Sequence, residues 1–103
     1  MTLEVRLRPE AERDLTEAAN WYEEQLPGLG NQFLDEVLAA FSSVADAPLM
    51  YPVVHRNTRR VLIHRFPFGV FYRVESNAIV VLAVMHGSRH PRRWKSRITT
   101  LGG

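Results

Sequence analysis

Residues 78–85 read Ala-Ile-Val-Val-Leu-Ala-Val-Met, an uninterrupted run of eight apolar side chains. A strand that is buried on one face alternates apolar and polar side chains, whereas this run is apolar at every position. The run therefore predicts a central strand that other elements cover on both faces of its sheet. Eight residues are far fewer than the roughly 20 that span a bilayer as a helix, so the run predicts no membrane segment.

The residues before this strand predict a first strand and a helical hairpin. Residues 3–8 alternate apolar and charged side chains with the period of a half-buried strand, and Pro9 favours the first turn of a following helix. A break at residues 27–30 precedes a second amphipathic helix, for which Asn31 is the predicted N-cap and Asp46 the approximate end. The apolar stripe of the first helix consists of Ala11, Leu15, Ala18, Ala19, Tyr22 and Leu26.

The second half of the chain predicts strands. Residues 58–65 alternate in part, residues 66–69 supply turn residues, and residues 70–75 are rich in β-branched and aromatic side chains. Ser76-Asn77 predict a tight hairpin turn into the apolar run, and the tail is expected to contain a short helix at about Arg92–Ile98. The predicted order is β-α-α-β-β-β, an α+β fold in which the helical hairpin packs on one face of a mostly antiparallel sheet.

Length and composition predict a single domain over residues 1–103. The chain is 46% hydrophobic, which is too apolar for a disordered region and sufficient for one modest core. The absence of cysteine excludes a disulfide scaffold, a thiolate zinc site and a cysteine nucleophile. It also fits a cytoplasmic protein, which is the expected location.

Charge is divided unequally along the chain. Residues 1–50 carry ten acidic and three basic side chains, a net charge of −7, whereas residues 51–103 carry ten basic side chains and the single acid Glu75, a net charge of +9. Twelve of the 13 basic residues are arginine, which suits bidentate contacts to phosphate or carboxylate. The division predicts a partner with a phosphate backbone or an acidic protein partner.

The segment His86-Gly87-Ser88-Arg89-His90-Pro91, directly after the central strand, is the best candidate for chemistry. A histidine there is suited to acid–base work near neutral pH. The two histidines lack a nearby acidic or cysteine partner, so no metal site is predicted. With no carboxylate pair, the basic half supports either metal-free cleavage of a phosphodiester by histidine and arginine or a binding surface without chemistry.

Structural roles are the alternative for several of these side chains. Tyr72 lies in an apolar strand and is predicted to be core, and Trp94 is predicted to anchor the tail. Arg59 and Arg60 are neighbours in a strand, so their side chains point to opposite faces and at most one of them joins a given site.

The chain resembles the RelE/ParE superfamily of bacterial toxins from type II toxin–antitoxin systems, also called plasmid-stabilisation proteins. The resemblance covers about residues 3–97 and is most specific at its C-terminal end. It rests on Val5–Leu15, Trp21-Tyr22, Phe33-Leu34, Pro48–Pro52, Arg60, Arg65-Phe66-Pro67-Phe68, Tyr72-Arg73-Val74 and Val84–Pro91 with Trp94.

The resemblance implies a growth-inhibiting toxin that a cognate antitoxin neutralises. RelE-like members cleave mRNA in the ribosome without metal, and ParE-like members inhibit DNA gyrase. RelE-like nucleases commonly carry a basic residue after the hairpin turn, where this chain has Gly69, and they tend to end in a functional tyrosine that this tail lacks. The pattern His86…Arg89-x-Pro91-x-x-Trp94 is the kind found in ParE-like members. We expect a ParE-like gyrase inhibitor, with a RelE-like ribosome-dependent mRNA interferase as the alternative.

The basic half and the resemblance together imply site residues and partners. A nuclease would use Arg60, His86 and Arg89 as catalytic candidates, and no cofactor is expected. The expected partners are the antitoxin and either gyrase or the ribosome with its mRNA. The expected assembly is a homodimer or a toxin–antitoxin hetero-oligomer. The expected target-binding surface consists of Arg60, Arg65, Arg73, His86, Arg89, Trp94 and Arg97.

Overall fold

Five strands and three helices make up the part of the chain that this computed structural model describes, residues 3–88 and 90–100. They are β1 (Glu4–Leu7), α1 (Pro9–Gln25), α2 (Leu29–Asp46), β2 (Val53–His55), β3 (Thr58–Leu62), β4 (Phe68–Glu75), β5 (Ala78–His86) and α3 (Pro91–Thr100). One sheet has the order β1-β5-β4-β3-β2, with β1 parallel to β5 and the other neighbours antiparallel. The predicted α+β fold is confirmed. None of the described helices has the combined length and apolarity to cross a bilayer.

β5 is the central strand that the apolar run predicts. It lies between β1 and β4, and its residues from Ala78 to Val84 are all buried. One set of its side chains joins a core under α1 and α2, and the other set joins a second core under α3. A register shift between Phe71 and Tyr72 of β4 marks a β-bulge, so that Leu82 and Ala83 both face the second core.

The helical hairpin covers the first face of the sheet, as predicted. Phe33, Val37 and Val44 of α2 are buried there, and the ring of Tyr22 on α1 lies with its centroid 5.2 Å from that of Phe33. Full burial of an aliphatic or phenylalanine side chain contributes about 1.5–3 kcal/mol. The apolar stripes of the two helices therefore account for their packing on the sheet.

The start of α2 differs from the prediction that Asn31 is its N-cap. The helix begins at Leu29, and Gly28 occupies the N-cap position with φ +90°, a left-handed conformation that glycine adopts without strain. The carboxylate of Glu23 accepts hydrogen bonds from the backbone N–H groups of Gly28 and Gly30, at 2.9 and 3.1 Å. Because α1 caps α2 in this way, Asn31 is left exposed inside the first turn.

β2 is a strand that the predicted order does not contain. It has only three residues, pairs with β3 and forms one edge of the sheet. Three residues are too few for an alternating pattern to be recognised. The structure therefore adds one edge strand to the predicted order and leaves the fold class unchanged.

α3 covers the second face of the sheet and is slightly longer than the predicted tail helix. Trp94 is 8% exposed and stacks on Phe71, with ring centroids 5.0 Å apart, and Ile98 is completely buried. The predicted role of Trp94 as the anchor of the tail is confirmed. The helical hairpin and α3 thus enclose the sheet from opposite sides.

Tyr72 is completely buried in the first core, as predicted. Its hydroxyl donates a hydrogen bond of 2.6 Å to the carbonyl oxygen of Pro48. The side chain of Arg59, which pairs with Tyr72 across the sheet, donates to the carbonyl oxygens of Leu49 and Tyr51 at 3.2 and 2.6 Å. The two side chains together hold the connector between α2 and β2 against the sheet.

The Tyr72 hydroxyl is expected to make the fold less stable at strongly alkaline pH. Burial raises the pKa of Tyr72 to about 12 from its ordinary value of 10. The folded state therefore holds this proton more tightly than the unfolded state, and the associated stabilisation is present below pH 10 and is lost as the pH rises toward 12.

We expect Tyr72→Phe to remove this pH dependence. Across that interval the wild type should lose about 2–3 kcal/mol more free energy of unfolding than the variant, since each pKa unit corresponds to about 1.4 kcal/mol. At pH 7 the variant should be about 1 kcal/mol less stable than the wild type, because the hydrogen bond to Pro48 is lost. Urea unfolding at pH 7, 10 and 12 measures both effects, and parallel pH profiles for the two proteins would contradict the assignment.

Candidate functional site

The carboxyl end of β5 borders an open groove, which we call the His86 groove. β1 pairs with β5 only as far as Val81, so within the described part of the chain the following residues of β5 have no neighbouring strand on that side. α1 and the first turns of α3 form the walls of the groove, whose volume is about 950 Å³. It is lined by Asp14, Glu17, Ala18, Trp21, Tyr22, Pro67, Phe68, Val84, Met85, His86, Ser88, His90, Arg93 and Arg97.

An ion pair takes the place of the absent strand neighbour at this edge. Asp14 Oδ2 accepts a hydrogen bond of 2.9 Å from the backbone N–H of Val84, and Arg97 Nη1 donates to the carbonyl oxygen of Leu82 at 3.4 Å. The two side chains also bind each other through two hydrogen bonds of 2.8 and 3.1 Å. The hydrogen bond to Asp14 raises the pKa of Arg97 above its ordinary value. The pair thus satisfies the β5 backbone and joins α1 to α3.

His86 is half-buried at the end of β5, with its ring centroid 5.3 Å from that of Phe68. Its Nδ1 accepts a hydrogen bond of 3.0 Å from the backbone N–H of Ser88, and the Ser88 hydroxyl lies 2.8 Å from the same nitrogen. A nitrogen that accepts a backbone N–H carries no proton, so the neutral ring holds its proton on Nε2. The local turn therefore fixes the tautomer and leaves Nε2–H as the donor of this ring.

Trp21 is a groove residue that the site prediction missed. Its side chain is 56% exposed, and its ring meets Tyr22 edge to face with centroids 5.2 Å apart. The sequence alone could have indicated that Trp21 is exposed. It does not belong to the apolar stripe of the first helix, and a large aromatic side chain outside that stripe does not face the core. Asp14 and Arg93 also line the groove and were not predicted to do so.

The two walls of the groove carry opposite charge. The α1 wall contributes Asp14 and Glu17, and the α3 wall contributes Arg93 and Arg97 with His90 beside them. The same division holds for whole elements, since α1 and α2 contain nine acidic residues and one arginine, whereas α3 contains three arginines, one lysine and no acid. The acidic and basic halves of the sequence therefore become two sides of the molecule.

The structure does not bring the predicted nuclease residues to one place. Arg60 on β3 pairs with Phe71, which faces the second core under α3. His86 pairs with Phe68, which packs against the first core under the helical hairpin. Arg60 and His86 therefore lie on opposite faces of the sheet, and Arg89 lies outside the described residues.

The remaining predicted surface residues are held by contacts within the fold. Arg65, in the turn before β4, contacts α2 through a 3.0 Å hydrogen bond to Gln32 and a 3.8 Å ion pair with Glu36. Arg73 is buried, and its guanidinium lies 2.8 Å from the carboxylate of Glu75. Trp94 is buried as described above, and of the seven predicted residues only His86 and Arg97 are among the described residues that line the His86 groove.

The arrangement in the groove has the character of a binding surface. It combines an exposed aromatic ring, one histidine donor and two walls of opposite charge, which are features that recognise a protein surface or a polar ligand. Among residues 3–88 and 90–100, no group of three His, Cys, Asp or Glu side chains is placed to hold a metal ion.

Comparison with known proteins identifies related toxins. Residues 5–91 match the family described as the ParE toxin of the type II toxin–antitoxin system parDE. Toxin ParE2 of Mycobacterium tuberculosis (strain H37Rv) is 30% identical over 103 residues, an alignment that covers 96% of this chain and 95% of that toxin.

Two solved structures have similar folds. The chromosomal ParDE toxin–antitoxin system from P. aeruginosa has a TM-score of 0.73 at 16% identity, covering 82% of this chain and 96% of that chain. The RelBE2 toxin–antitoxin complex from Mycobacterium tuberculosis has a TM-score of 0.60 at 25% identity, covering 84% and 99%. These findings confirm the resemblance to the RelE/ParE superfamily. Because the family match spans most of the sequence and a ParE toxin aligns along nearly its whole length, the chain belongs to the ParE toxin family of type II toxin–antitoxin systems.

Proposed function

We propose that this toxin inhibits DNA gyrase and that a cognate antitoxin neutralises it. The match to ParE toxins over residues 5–91 carries the proposal, because ParE-like members of the superfamily act on gyrase and RelE-like members cleave mRNA. The antitoxin is supported by the two similar structures, both of which come from toxin–antitoxin systems.

The placement of the candidate residues favours gyrase inhibition over RNA cleavage. Metal-free cleavage of RNA needs a base, an acid and a cation around one phosphate. His86 and Arg60 lie on opposite faces of the sheet, and position 69, on the same face as Arg60 near the start of β4, is a glycine. The side chain of Arg60 passes over that glycine, since a Cβ there would lie 3.0 Å from Arg60 Cδ. Because residue 69 is glycine, it supplies none of the cationic groups that an RNA-cleaving site needs.

Ribosome-dependent mRNA cleavage is the second candidate function. The similarity in fold to the RelBE2 complex favours it, and so does the histidine at the end of β5. Primer extension on total RNA after induction of the toxin separates the two functions, because codon-positioned cuts are expected only from an interferase.

We propose the His86 groove as the surface that contacts gyrase. Exposed aromatic side chains beside fixed polar groups are the usual anchors of protein interfaces. The exposed Trp21, with the half-buried Tyr22 beside it, supplies such a surface in the same groove as His86 and the two charged walls.

Replacing Trp21 with alanine is expected to raise the toxin concentration needed for half-inhibition of gyrase supercoiling at least about tenfold, which corresponds to about 1.4 kcal/mol of binding. Leu26→Ala is the matched control, since Leu26 directly follows α1, has the same 56% exposure and does not line the groove. Addition of the product of an adjacent short reading frame is expected to relieve inhibition.

The supercoiling assay tests two proposals separately: that the toxin inhibits gyrase, and that the His86 groove is the surface that contacts it. Equal effects of Trp21→Ala and Leu26→Ala would reject the groove as the contact surface. Normal supercoiling at saturating wild-type toxin, together with cut mRNA in induced cells, would replace gyrase inhibition by the interferase function.

A further inference from the structure

The outward side of α3 is a stripe of basic and hydroxyl side chains that the proposed function does not use. Trp94 and Ile98, four residues apart, are buried and fix the orientation of the helix. Arg92, Lys95, Ser96 and Thr99 follow the spacing i, i+3, i+4 and i+7, so they share one face, and all four are exposed. With His90 and Pro91 they line a shallow groove of about 510 Å³, which we call the α3 outer face.

The cations of the α3 outer face have no carboxylate partner in the described part of the chain. Arg97, on the same helix, is paired with Asp14, but no Asp or Glu of residues 3–88 and 90–100 lies within 4.0 Å of Arg92 or Lys95. Lys95 Nζ lies 5.6 Å from the ring centroid of Trp94. Cations that are positioned on a helix and lack a carboxylate partner attract an external anion.

An anion at the α3 outer face would be bound by side chains and not by the backbone N–H groups at the start of the helix. The first amides of α3 are already used, because Arg92 N–H donates to His90 Nδ1 at 3.1 Å and Arg93 N–H donates to the His90 carbonyl oxygen at 2.8 Å. Arg92 and Lys95 are separated by about 4.5 Å along the helix axis, at 1.5 Å per residue. Spaced cations of this kind suit an anion with several charges in a row more than a single phosphate.

We propose that the α3 outer face binds the phosphodiester backbone of nucleic acid. Arginine, lysine and serine side chains are among the usual donors to backbone phosphates. An acidic protein is less well matched, because protein interfaces have an apolar centre and none of the exposed large apolar side chains in the described part of the chain lies on α3. The only tryptophan of the helix is stacked on Phe71 and cannot receive a base. Contacts to backbone phosphates carry no direct sequence information, so the binding is independent of base sequence.

This inference does not depend on gyrase, so it is tested with the purified full chain and nucleic acid alone. The probes are a labelled 20-nucleotide DNA strand, an RNA strand of the same sequence and the corresponding DNA duplex, titrated at 50 and 200 mM salt. A second DNA duplex of unrelated sequence is titrated to measure any preference for base sequence. We expect the affinity for the duplex to fall about 10- to 40-fold between these salt concentrations, as for two to three phosphate contacts. Comparison of the three probes identifies the preferred nucleic acid.

Charge-reversal variants distinguish binding by the α3 outer face from a general effect of the protein's net charge. Arg92→Glu and Lys95→Glu are each expected to weaken binding at least about fivefold at 50 mM salt and to reduce the salt slope by about one. Arg13→Glu, on the exposed side of α1, changes the net charge equally and is expected to leave the affinity nearly unchanged. Thermal unfolding of all three variants should match the wild type, because the replaced side chains are exposed.

Three results would overturn the proposal. They are the absence of binding to every probe at 50 mM salt, an equal loss of affinity in Arg13→Glu, and a strong preference for one base sequence. Competition by a poly-glutamate peptide as effective as an oligonucleotide of equal charge would assign the face to an acidic protein instead.

Discussion

Replacing Trp94 with alanine is expected to lower the free energy of unfolding by about 3–5 kcal/mol, the range for deletion of a buried tryptophan or phenylalanine side chain. The ring is stacked on Phe71, and His55 of β2 meets it edge to face at 6.3 Å. α3 reaches the sheet mainly through Trp94 and Ile98, so the cavity would detach the helix from the second core. Detachment would also withdraw Arg97 from the His86 groove and reduce the proposed inhibition of gyrase.

Three measurements test the Trp94 prediction. Urea unfolding gives the loss of stability, hydrogen exchange at Leu82 and Ala83 reports exposure of the second core, and the supercoiling assay reports the proposed inhibition of gyrase. Ser96→Ala is the control, because Ser96 is exposed on the same helix and its replacement should change stability by less than about 0.5 kcal/mol. A cost below about 1 kcal/mol for Trp94→Ala would mean that α3 does not depend on this ring.

Removal of the Asp14 carboxylate is the second large expected effect. Asp14→Ala leaves Arg97 without its partner and Val84 N–H without its acceptor. Breaking a fully buried ion pair costs about 3–5 kcal/mol, and we expect about 2–4 kcal/mol here because partial exposure lets water compensate. The exposed fractions of the two side chains are 14% for Asp14 and 23% for Arg97.

A double-mutant cycle identifies the source of this loss. The combined variant Asp14→Ala/Arg97→Ala is expected to be less destabilised than the sum of the single variants by about 1–2 kcal/mol, since each single variant leaves the other charge unpaired. Glu17→Ala, on the same wall of the groove, is the control and should change stability little. Additive single effects would show that the two side chains act independently.

Much of the fold was predictable because local patterns specify local structure. The apolar run at residues 78–85 could be accommodated only by a strand covered on both faces, and the stripe on the first helix required a core on one side. Asn31 shows the limit of this approach. Its type suits an N-cap, but the helix already begins at Leu29, where the Glu23 carboxylate of the preceding helix binds the amides of Gly28 and Gly30.

The candidate site was predictable only in part. His86 was identified because it directly follows the central strand, and it does line the groove. Trp21 was missed as a site residue, although its position off the apolar stripe was a usable signal. Arg60 was grouped with His86 because both are in the basic half, and the pairing of β3 with β4 places it on the other face of the sheet.

The sequence by itself determined the two-sided central strand, the amphipathic helical hairpin and the division of charge into an acidic and a basic half. Tertiary structure alone decided which basic residues are paired, which face each of them occupies and where the groove opens. Periodicity and composition are properties of neighbouring residues, so they can be recognised along the chain. Asp14 and Arg97 are 83 residues apart, and their contact at the β5 edge depends on strand order and register, which no local pattern specifies.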